Sequence, residues 1–208
     1  MNIIEPSVEI LTPLDADTVY KHLERCGRVC YKSEGRTAPG SAEKFLKRIV
    51  LSGHESVLEH FSVTFKFICD RSVSHQLVRH RIASYSQESQ RYCNYRNDSF
   101  DNEITVVRPV GFLPGTMYYS AWERSCRTAE DAYMYLVAEG RSPQEARSVL
   151  PNSCKTEIVC TMNIRELRHF LKLRTSKAAD PAIRQVASML LSKTKDALPI
   201  LFEDIEVE

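Results

Sequence analysis

Residues 79–92 constrain the fold most strongly, because almost none of their side chains suits a buried core. The stretch holds three arginines, Arg79, Arg81 and Arg91, and a single acid, Glu88. Charged side chains are rarely buried unless paired, and one carboxylate cannot pair three guanidinium groups. A solvated face with scattered salt bridges therefore fits poorly. The stretch predicts an anchored polar loop that binds ligands with several anionic oxygens, since arginine suits phosphate and carboxylate.

Length and composition narrow the functional classes. The 208 residues predict a single domain over 1–208 that can bury a core. The net charge of +1 argues against general binding of nucleic acid or anionic membrane. Seven scattered cysteines without a C-x-x-C pair are typical of a reducing compartment, so we expect a cytoplasmic protein. We expect no signal peptide, because residues 1–6 show no basic region followed by a long apolar run. We expect no membrane partner, because no apolar run approaches the roughly 20 residues that span a bilayer.

Periodicity predicts the main elements. Residues 61–69 and 155–162 alternate apolar and polar side chains and are predicted to be strands, while 8–14 suits a short edge strand. Apolar residues recur at three- and four-residue steps in 115–139 and 163–174, which predicts two helices. We assign no chemistry to the first of these helices.

Capping residues predict where the shorter helices begin. Asp15 or Asp17 suits the N-cap of a first helix, and Ser41 suits that of a second. A third helix is predicted from about Ser72, with its apolar side chains, Val78 included, facing inward. Its C-terminal end delivers the first arginines of the polar loop, where the helix dipole favours cations.

Two further blocks are rich in polar side chains. Residues 53–60 carry two histidines and two glutamates, but their spacing is not His-Glu-x-x-His, so we predict no metal site. Residues 163–174 carry three arginines that, taken alone, favour a solvated helix face. The chain has no Gly-rich phosphate loop and no Rossmann fingerprint, so any flavin must bind by another route.

Four blocks, 53–60, 76–92, 146–151 and 163–174, together resemble the flavin-dependent thymidylate synthases. The second block carries Arg-His-Arg, seven residues, a serine and, two residues on, Arg-Tyr, which resembles that family's signature. The resemblance implies an α/β (α+β) fold with a small, mostly antiparallel sheet flanked by helices. It also implies a homotetramer whose active sites are shared between subunits.

The same resemblance implies an activity. Such an enzyme is a methyltransferase that converts deoxyuridine monophosphate (dUMP) to thymidylate (dTMP) in de novo nucleotide biosynthesis. Methylenetetrahydrofolate is the carbon donor, and NADPH supplies the hydride through flavin adenine dinucleotide (FAD). The expected partners are therefore dUMP, folate and nicotinamide small molecules, with no nucleic acid. The choice between NADPH and NADH stays open at this point.

Site residues follow by motif position. The resemblance implies FAD binding by Ser56, Glu59, Arg79, His80, Arg81, Asn163, Arg165 and His169. It implies dUMP binding by Gln76, Arg79, Gln87, Glu88, Ser89, Arg91, Arg147 and Arg174. The catalytic set is Arg174, Ser89 and His54, with Arg174 stabilising charge on the pyrimidine and Ser89 orienting the nucleotide. We expect no covalent adduct, although Cys93 lies near enough to Arg91 for a depressed thiol pKa.

Three positions depart from the family pattern. Gln87 stands where the family often has glutamate, and residues 178–181 read Ala-Ala-Asp-Pro where His-Ala-Gln is common. Cys30 stands near a family serine that can touch the cofactor. The contacts at these positions are therefore the ones that the resemblance supports least.

Two other functions are compatible with parts of the chain. A nucleic-acid module would use the 79–91 loop with Tyr85, Tyr92 and Tyr95 stacking on bases, but such modules are usually basic. A metal-dependent hydrolase would use the histidines, namely His54, His60, His75 and His80. Both are disfavoured beside the four matched blocks.

Overall fold

The computed structural model describes residues 1–207 and divides them into two compact units. Unit 1 comprises residues 1–7, 67–79 and 86–158, and unit 2 comprises residues 8–66, 80–85 and 159–207. Each unit is assembled from three separate chain segments. The single domain expected over 1–208 stays a prediction, and residue 208 lies outside the described residues.

The described residues form six strands and eight α-helices. The strands are β1 (Asn2–Ile4), β2 (Ser7–Ile10), β3 (Ser62–Asp70), β4 (Ala83–Gln87), β5 (Thr105–Val107) and β6 (Lys155–Asn163). The α-helices are α1 (Ala16–Val29), α2 (Ser41–Leu51), α3 (Arg71–Leu77), α4 (Met117–Ala138), α5 (Pro143–Ala146), α6 (Ile164–Arg174), α7 (Pro181–Ala197) and α8 (Pro199–Phe202). Short 3-10 helices cover Glu34–Arg36, Glu55–His60, Asp98–Phe100 and Arg147–Val149.

The strands form two small sheets. β1 and β5 pair in parallel, and the larger sheet has the order β2-β3-β6-β4, so β2 is the predicted edge strand. Thr64 bonds Thr161, and the Ile164 amide donates to the Phe61 carbonyl, so β3 and β6 run antiparallel. The predicted fold class, a small and mostly antiparallel sheet flanked by helices, is confirmed.

The alternating patterns correspond to strands with one buried face. Along β6, the side chains of Thr156, Ile158, Cys160 and Met162 are buried while their neighbours are half-buried. β3 shows the same alternation. The strands predicted at 61–69 and 155–162 are therefore confirmed, and so are the helices predicted at 115–139 and 163–174.

Two predicted helix ends need comment. Asp15, one of the two residues predicted as the N-cap of α1, is that cap. Its carboxylate accepts a hydrogen bond from the Thr18 amide at 2.8 Å. Ser41, however, is the first residue of α2 rather than its cap, so that prediction was wrong. Gly40 takes the cap position at φ +73°, and the Ser41 hydroxyl accepts from the Ala38 amide.

The prediction of a polar loop over residues 79–92 is wrong for part of that stretch. Residues 83–87 form strand β4, whose side chains are half-buried and exposed in turn. Its residues are mostly hydroxylic or amide, so the apolar alternation that signals a strand is absent. Val78 was also predicted to face inward, yet it is 41% exposed because α3 ends one residue earlier, at Leu77.

The core of unit 1 forms around β5 and α4. Cys126 and Tyr133 of α4 are buried against Ile104 and Val106, with Tyr95 completing the cluster. α4 thus contributes packing to this core. No helix within residues 1–207 combines the length and the apolar character that crossing a membrane requires.

In unit 2, helices enclose the 3-10 helix Glu55–His60. α1 and α6 both pack against this short helix, and α1 also packs against α2. Gly27 allows that close approach, since a Cβ on it would lie 2.6 Å from the Phe45 ring. Asn163 caps α6 by accepting from the Glu166 amide.

The side chain of Arg168, on α6, is buried with 1% of its surface exposed. Its guanidinium donates to Glu55 at 2.9 Å and to both carboxylate oxygens of Asp204 at 2.7 and 2.8 Å. It also donates to the Leu201 carbonyl. These bonds join α6, the 3-10 helix that follows His54, and the segment after α8.

We predict that Arg168→Ala strongly destabilises the protein. Removing one member of a buried ionic network costs about 3–5 kcal/mol, because the remaining charges stay desolvated. Urea unfolding of Arg168→Ala against wild type measures the loss. Arg127→Ala is the matched control, because its ion pair with Glu123 on α4 is largely exposed and such pairs contribute about 0–1 kcal/mol. Equal midpoints for the two variants would contradict the prediction.

Candidate functional site

His54 is presented by a tight turn in unit 2. Gly53, at φ +67°, follows α2, and His54 comes next with its side chain exposed. The Tyr31 hydroxyl lies 3.5 Å from His54 Nδ1. The turn therefore holds an imidazole at the surface with a phenol at hydrogen-bonding distance.

The 3-10 helix that follows His54 carries two more of the predicted site residues. The 3-10 helix Glu55–His60 buries Val57 and Leu58 and leaves Ser56 and Glu59 exposed. The two buried aliphatic side chains anchor the helix against α1 and α6. Ser56 and Glu59 are thus exposed side chains on an anchored element.

Arg165 forms an ion pair with Glu59. Its Nη1 lies 2.6 Å from Glu59 Oε1, and both side chains are about half exposed. Arg165 is in the first turn of α6, two residues after the N-cap Asn163. A carboxylate from the 53–60 block therefore meets an amide and a guanidinium from the 163–174 block at the start of one helix.

His80 lies between the two ends of α6. Its Nδ1 is 3.1 Å from Glu166 Oε1, and Arg174 Nε donates to its Nε2 at 3.1 Å. The Tyr85 hydroxyl donates to the His80 carbonyl. Burial lowers the pKa of His80, and the Arg174 charge lowers it further, while Glu166 opposes both.

Two neighbouring cavities in unit 2 are lined by these residues. One, of about 560 Å³, is lined by Glu55, Glu59, Ile82, Asn163, Arg165, Glu166 and His169. The other, of about 430 Å³, is lined by Cys30, Tyr31, Gly53, His54, Glu55, Ser56, Val57 and Arg165. They share Glu55 and Arg165. A third cavity, of about 700 Å³, is lined by α1 and residues 34–43 and contains none of the predicted site residues, so we do not assign the ligands to it.

His80, Glu166 and His169 place ligand-type atoms within 4.8 Å of one another. This is a different set from the four histidines of the hydrolase alternative. A cation among these three groups would face the guanidinium of Arg174, which already donates to His80. Like charges at that distance repel, so we assign this cluster to Arg174 rather than to a metal.

Gln87 ends β4 and is held in unit 1. Its Nε2 donates to the hydroxyls of Ser74 and Thr156 at 3.0 and 3.1 Å. Gln87 stands where the family often has glutamate, and its amide therefore supplies a donor to these two hydroxyls. Both bonds fix the direction of the side chain at the start of the Ser89–Arg91 turn.

Glu88 is held from both sides. Tyr95 donates to its Oε1 at 2.9 Å, and Lys155 donates to its Oε2 at 2.9 Å. Tyr95 is buried, so it is not available to stack on a base as the nucleic-acid alternative required. Glu88 thus ties the turn to the core of unit 1.

Ser89, Arg91 and Cys93 follow in a tight turn. The Ser89 carbonyl accepts from the Cys93 amide at 3.0 Å, and the Ser89 hydroxyl accepts from the Arg91 amide. Arg91 is exposed and lies over the Tyr92 ring. Burial raises the pKa of the Cys93 thiol, and the nearby Glu88 charge adds to the effect.

The remaining predicted site residues of unit 1 are two arginines and a glutamine. Arg79 and Arg147 are exposed, and Gln76 is half-buried on α3. Unit 1 thus contains Gln76, Arg79, Gln87, Glu88, Ser89, Arg91 and Arg147. Unit 2 contains His54, Ser56, Glu59, His80, Arg81, Asn163, Arg165, His169 and Arg174.

Comparison with known proteins shows what these blocks belong to. A family model described as "Thymidylate synthase complementing protein" matches residues 15–200. A flavin-dependent thymidylate synthase from Geobacter sulfurreducens is 41% identical over 184 residues, covering 85% of this chain and 78% of that protein. The chain belongs to the flavin-dependent thymidylate synthases. The family resemblance and the enzyme class predicted from the sequence are therefore confirmed.

Other members of the flavin-dependent thymidylate synthase family match with similar coverage. The protein from Mycobacteroides abscessus is 36% identical over 217 aligned positions, covering 99% of this chain and 86% of that protein. The crystal structure of a UMP/dUMP methylase from Streptomyces cacaoi bound to 5-Br dUMP has a TM-score of 0.80. It covers 98% of this chain and 96% of that chain at 23% identity, which shows a shared fold.

Sequence reasoning missed the partners that hold the site residues. Glu166 stands within the matched 163–174 block, yet no periodic signal marks its carboxylate as the partner of His80. Glu55, Asp204 and Arg168 were likewise not foreseen as one network. The one usable signal was Asn163, whose position before an acidic first turn is typical of an N-cap.

Proposed function

We propose that this flavin-dependent thymidylate synthase methylates dUMP to dTMP, with methylenetetrahydrofolate as carbon donor and NADPH as reductant through FAD. Family membership over residues 15–200 carries the proposal. The methylase of the same fold, bound to a dUMP analogue, supports the choice of substrate.

The nucleotide is proposed to bind to the polar surface of unit 1. The phosphate of dUMP is a dianion, and Arg79, Arg91 and Arg147 present exposed guanidinium groups there. The side-chain amides of Gln76 and Gln87 are proposed to orient the nucleotide. Since both oxygens of Glu88 are already bonded, its contribution is proposed to be the placement of the Ser89–Arg91 turn.

The residues of unit 2 fit a flavin. Two adjacent cavities of about 560 and 430 Å³ lie within the size range of small-molecule sites. They offer a guanidinium, an amide and a hydroxyl to phosphate and ring oxygens. We assign the flavin to the unit 2 residues Ser56, Glu59, His80, Arg81, Asn163, Arg165 and His169, and to Arg79, which belongs to unit 1. When bound, the flavin supplies the hydride for the reductive methylation.

Arg174 is proposed to stabilise negative charge that develops on the pyrimidine carbonyls. A fixed cation aimed at developing charge is commonly the largest catalytic contribution, and Arg174 is held by His80. Ser89 is proposed to orient the nucleotide, and His54 to lie beside it. Burial raises the pKa of Cys93, so that thiol remains protonated and no covalent adduct is expected.

We further propose a cytoplasmic homotetramer with active sites shared between subunits. The candidate residues of unit 1 and unit 2 address three large ligands, more than one chain of this size readily surrounds. The seven cysteines are all free, which suits a reducing compartment.

Turnover of dUMP to dTMP in the presence of methylenetetrahydrofolate, NADPH and FAD tests the function directly. We predict that Arg174→Ala loses roughly a hundred- to thousandfold in kcat while still binding flavin. Ser89→Ala should keep measurable activity, and Cys93→Ala should remain active. A nucleotide adduct on Ser89 or Cys93, seen by mass spectrometry of a stopped reaction, would contradict the mechanism.

We predict that Arg165→Ala weakens flavin binding about tenfold or more, because a charge-assisted contact to phosphate is lost. Quenching of flavin fluorescence measures the affinity without turnover. Arg124→Ala, an exposed arginine on α4, is the matched control and should bind like wild type. Wild-type affinity in Arg165→Ala would remove this arginine from the flavin site.

Shared sites predict complementation between inactive variants. Mixed Arg91→Ala and Arg165→Ala subunits should regain part of the activity, since some mixed sites would draw both intact residues from different chains. Subunit exchange is first verified by native mass spectrometry of isotope-labelled chains. Complete exchange without recovered activity would show that a site does not combine Arg91 of one chain with Arg165 of another, and would remove the support for shared sites.

A further inference from the structure

A chain of two hydrogen bonds connects Glu166, His80 and Arg174. Glu166 and Arg174 lie eight residues apart on α6, or roughly 12 Å along its axis at 1.5 Å per residue. The His80 ring bonds one with each nitrogen, at 3.1 Å in both cases. One imidazole from outside the helix thus bridges a carboxylate near its start and the guanidinium at its end.

The chemistry of the partners determines the proton positions on His80. A guanidinium donates only, so Nε2 of His80 must carry a lone pair where Arg174 Nε–H meets it. The proton of the neutral ring is then on Nδ1, where it donates to the Glu166 carboxylate. A single tautomer, neutral and protonated at Nδ1, satisfies both contacts.

The side chains packed around His80 hold its ring between Glu166 and Arg174. The Phe170 ring meets His80 edge-on with centroids 5.0 Å apart, and the Tyr85 hydroxyl donates to the His80 carbonyl at 2.7 Å. His80 is 5% exposed, so water does not compete freely for its nitrogens. The charged and titratable groups around the ring are Glu166, His169 and Arg174.

We propose that His80 is a positioning residue for Arg174, with Glu166 selecting the tautomer that accepts the bond from the guanidinium. The inference rests on the proposed function only in treating Arg174 as the catalytic cation. It assigns His80 a task beyond contact with a flavin. The ring limits the directions in which Arg174 Nε–H can point, and so orients the whole planar guanidinium.

Protonation of His80 would disrupt this arrangement. A proton on Nε2 replaces the acceptor with a donor and sets a second cation against Arg174. Burial lowers the pKa of His80 from its ordinary 6.5, so the neutral form is favoured at physiological pH. Because the folded pKa lies below the unfolded one, the stabilisation from neutral His80 is complete above pH 6.5 and is lost as pH falls towards the lowered pKa. In the folded enzyme His80 becomes protonated only as the pH approaches its lowered pKa, so turnover should fall as the pH drops below that pKa.

The ring of His80 can be read directly by ¹⁵N NMR of histidine-labelled protein, independently of any turnover. The chain has six histidines, and the signal missing from His80→Gln identifies residue 80. We expect the neutral ring protonated at Nδ1 at pH 7. A ring protonated at Nε2, or a cation at pH 7, would overturn the inference even if the enzyme methylates dUMP. Absence of methylation would overturn the proposed function and leave this measurement intact.

Kinetic variants test the positioning role. His80→Leu removes the acceptor and should lower kcat at saturating flavin roughly a hundredfold, as misplacement of a catalytic group does, in addition to any weaker binding of flavin. His80→Gln offers an amide oxygen that cannot titrate, so it should retain more activity than His80→Leu and lose the acid limb. His75→Gln, an exposed histidine on α3, is the matched control. If His80→Leu instead weakens flavin binding while kcat at saturating flavin is unchanged, His80 acts only as a flavin ligand and the inference fails.

Glu166→Gln provides a second test should the His80 variants fold poorly. Glu166 raises the pKa of His80, so replacing the carboxylate with an amide should move the acid limb of kcat to lower pH. A purely structural role would lower activity without moving the limb. An acid limb at the wild-type pH in Glu166→Gln would contradict the inference.

Discussion

A desolvated guanidinium supports the part of unit 2 on which the candidate flavin residues lie. Arg168 is buried, and its donors meet the carboxylates of Glu55 and Asp204. A buried cation is tolerated only where such partners meet it in good geometry. α6, the 3-10 helix Glu55–His60 and the segment after α8 are therefore held in one arrangement. Ser56 and Arg165, exposed on two of these elements, share that support.

α6 divides its side chains between two tasks. Arg165 and His169 are exposed where they line a cavity, whereas Glu166, which lines the same cavity, is buried and bonds His80. The alternation follows from the helical repeat, since neighbouring residues point about 100° apart. One short helix can therefore contact a ligand on one side and set the direction of Arg174 from the other.

Much of the fold was predictable because apolar periodicity reports burial directly. β3, β6, α4 and α6 carry clear periods, and all four were found. β4 was missed because its residues are polar and its position depends on neighbouring strands rather than on its own pattern. The candidate residues came from motif resemblance, but the bonds that hold them did not. Contacts such as Glu166 with His80 join residues 86 positions apart, and no local pattern encodes them.

The half-exposed ion pair between Arg165 and Glu59 means that this cavity contains its own resident anion. A ligand anion that takes the place of that carboxylate beside Arg165 gains only the difference between two attractions. A singly charged carboxylate ligand gains little from such an exchange, whereas a phosphoryl group with more charge and more acceptor oxygens gains more. The ion pair with Glu59 would thus make the cavity favour multiply charged anions over singly charged ones, whatever the shape of the ligand.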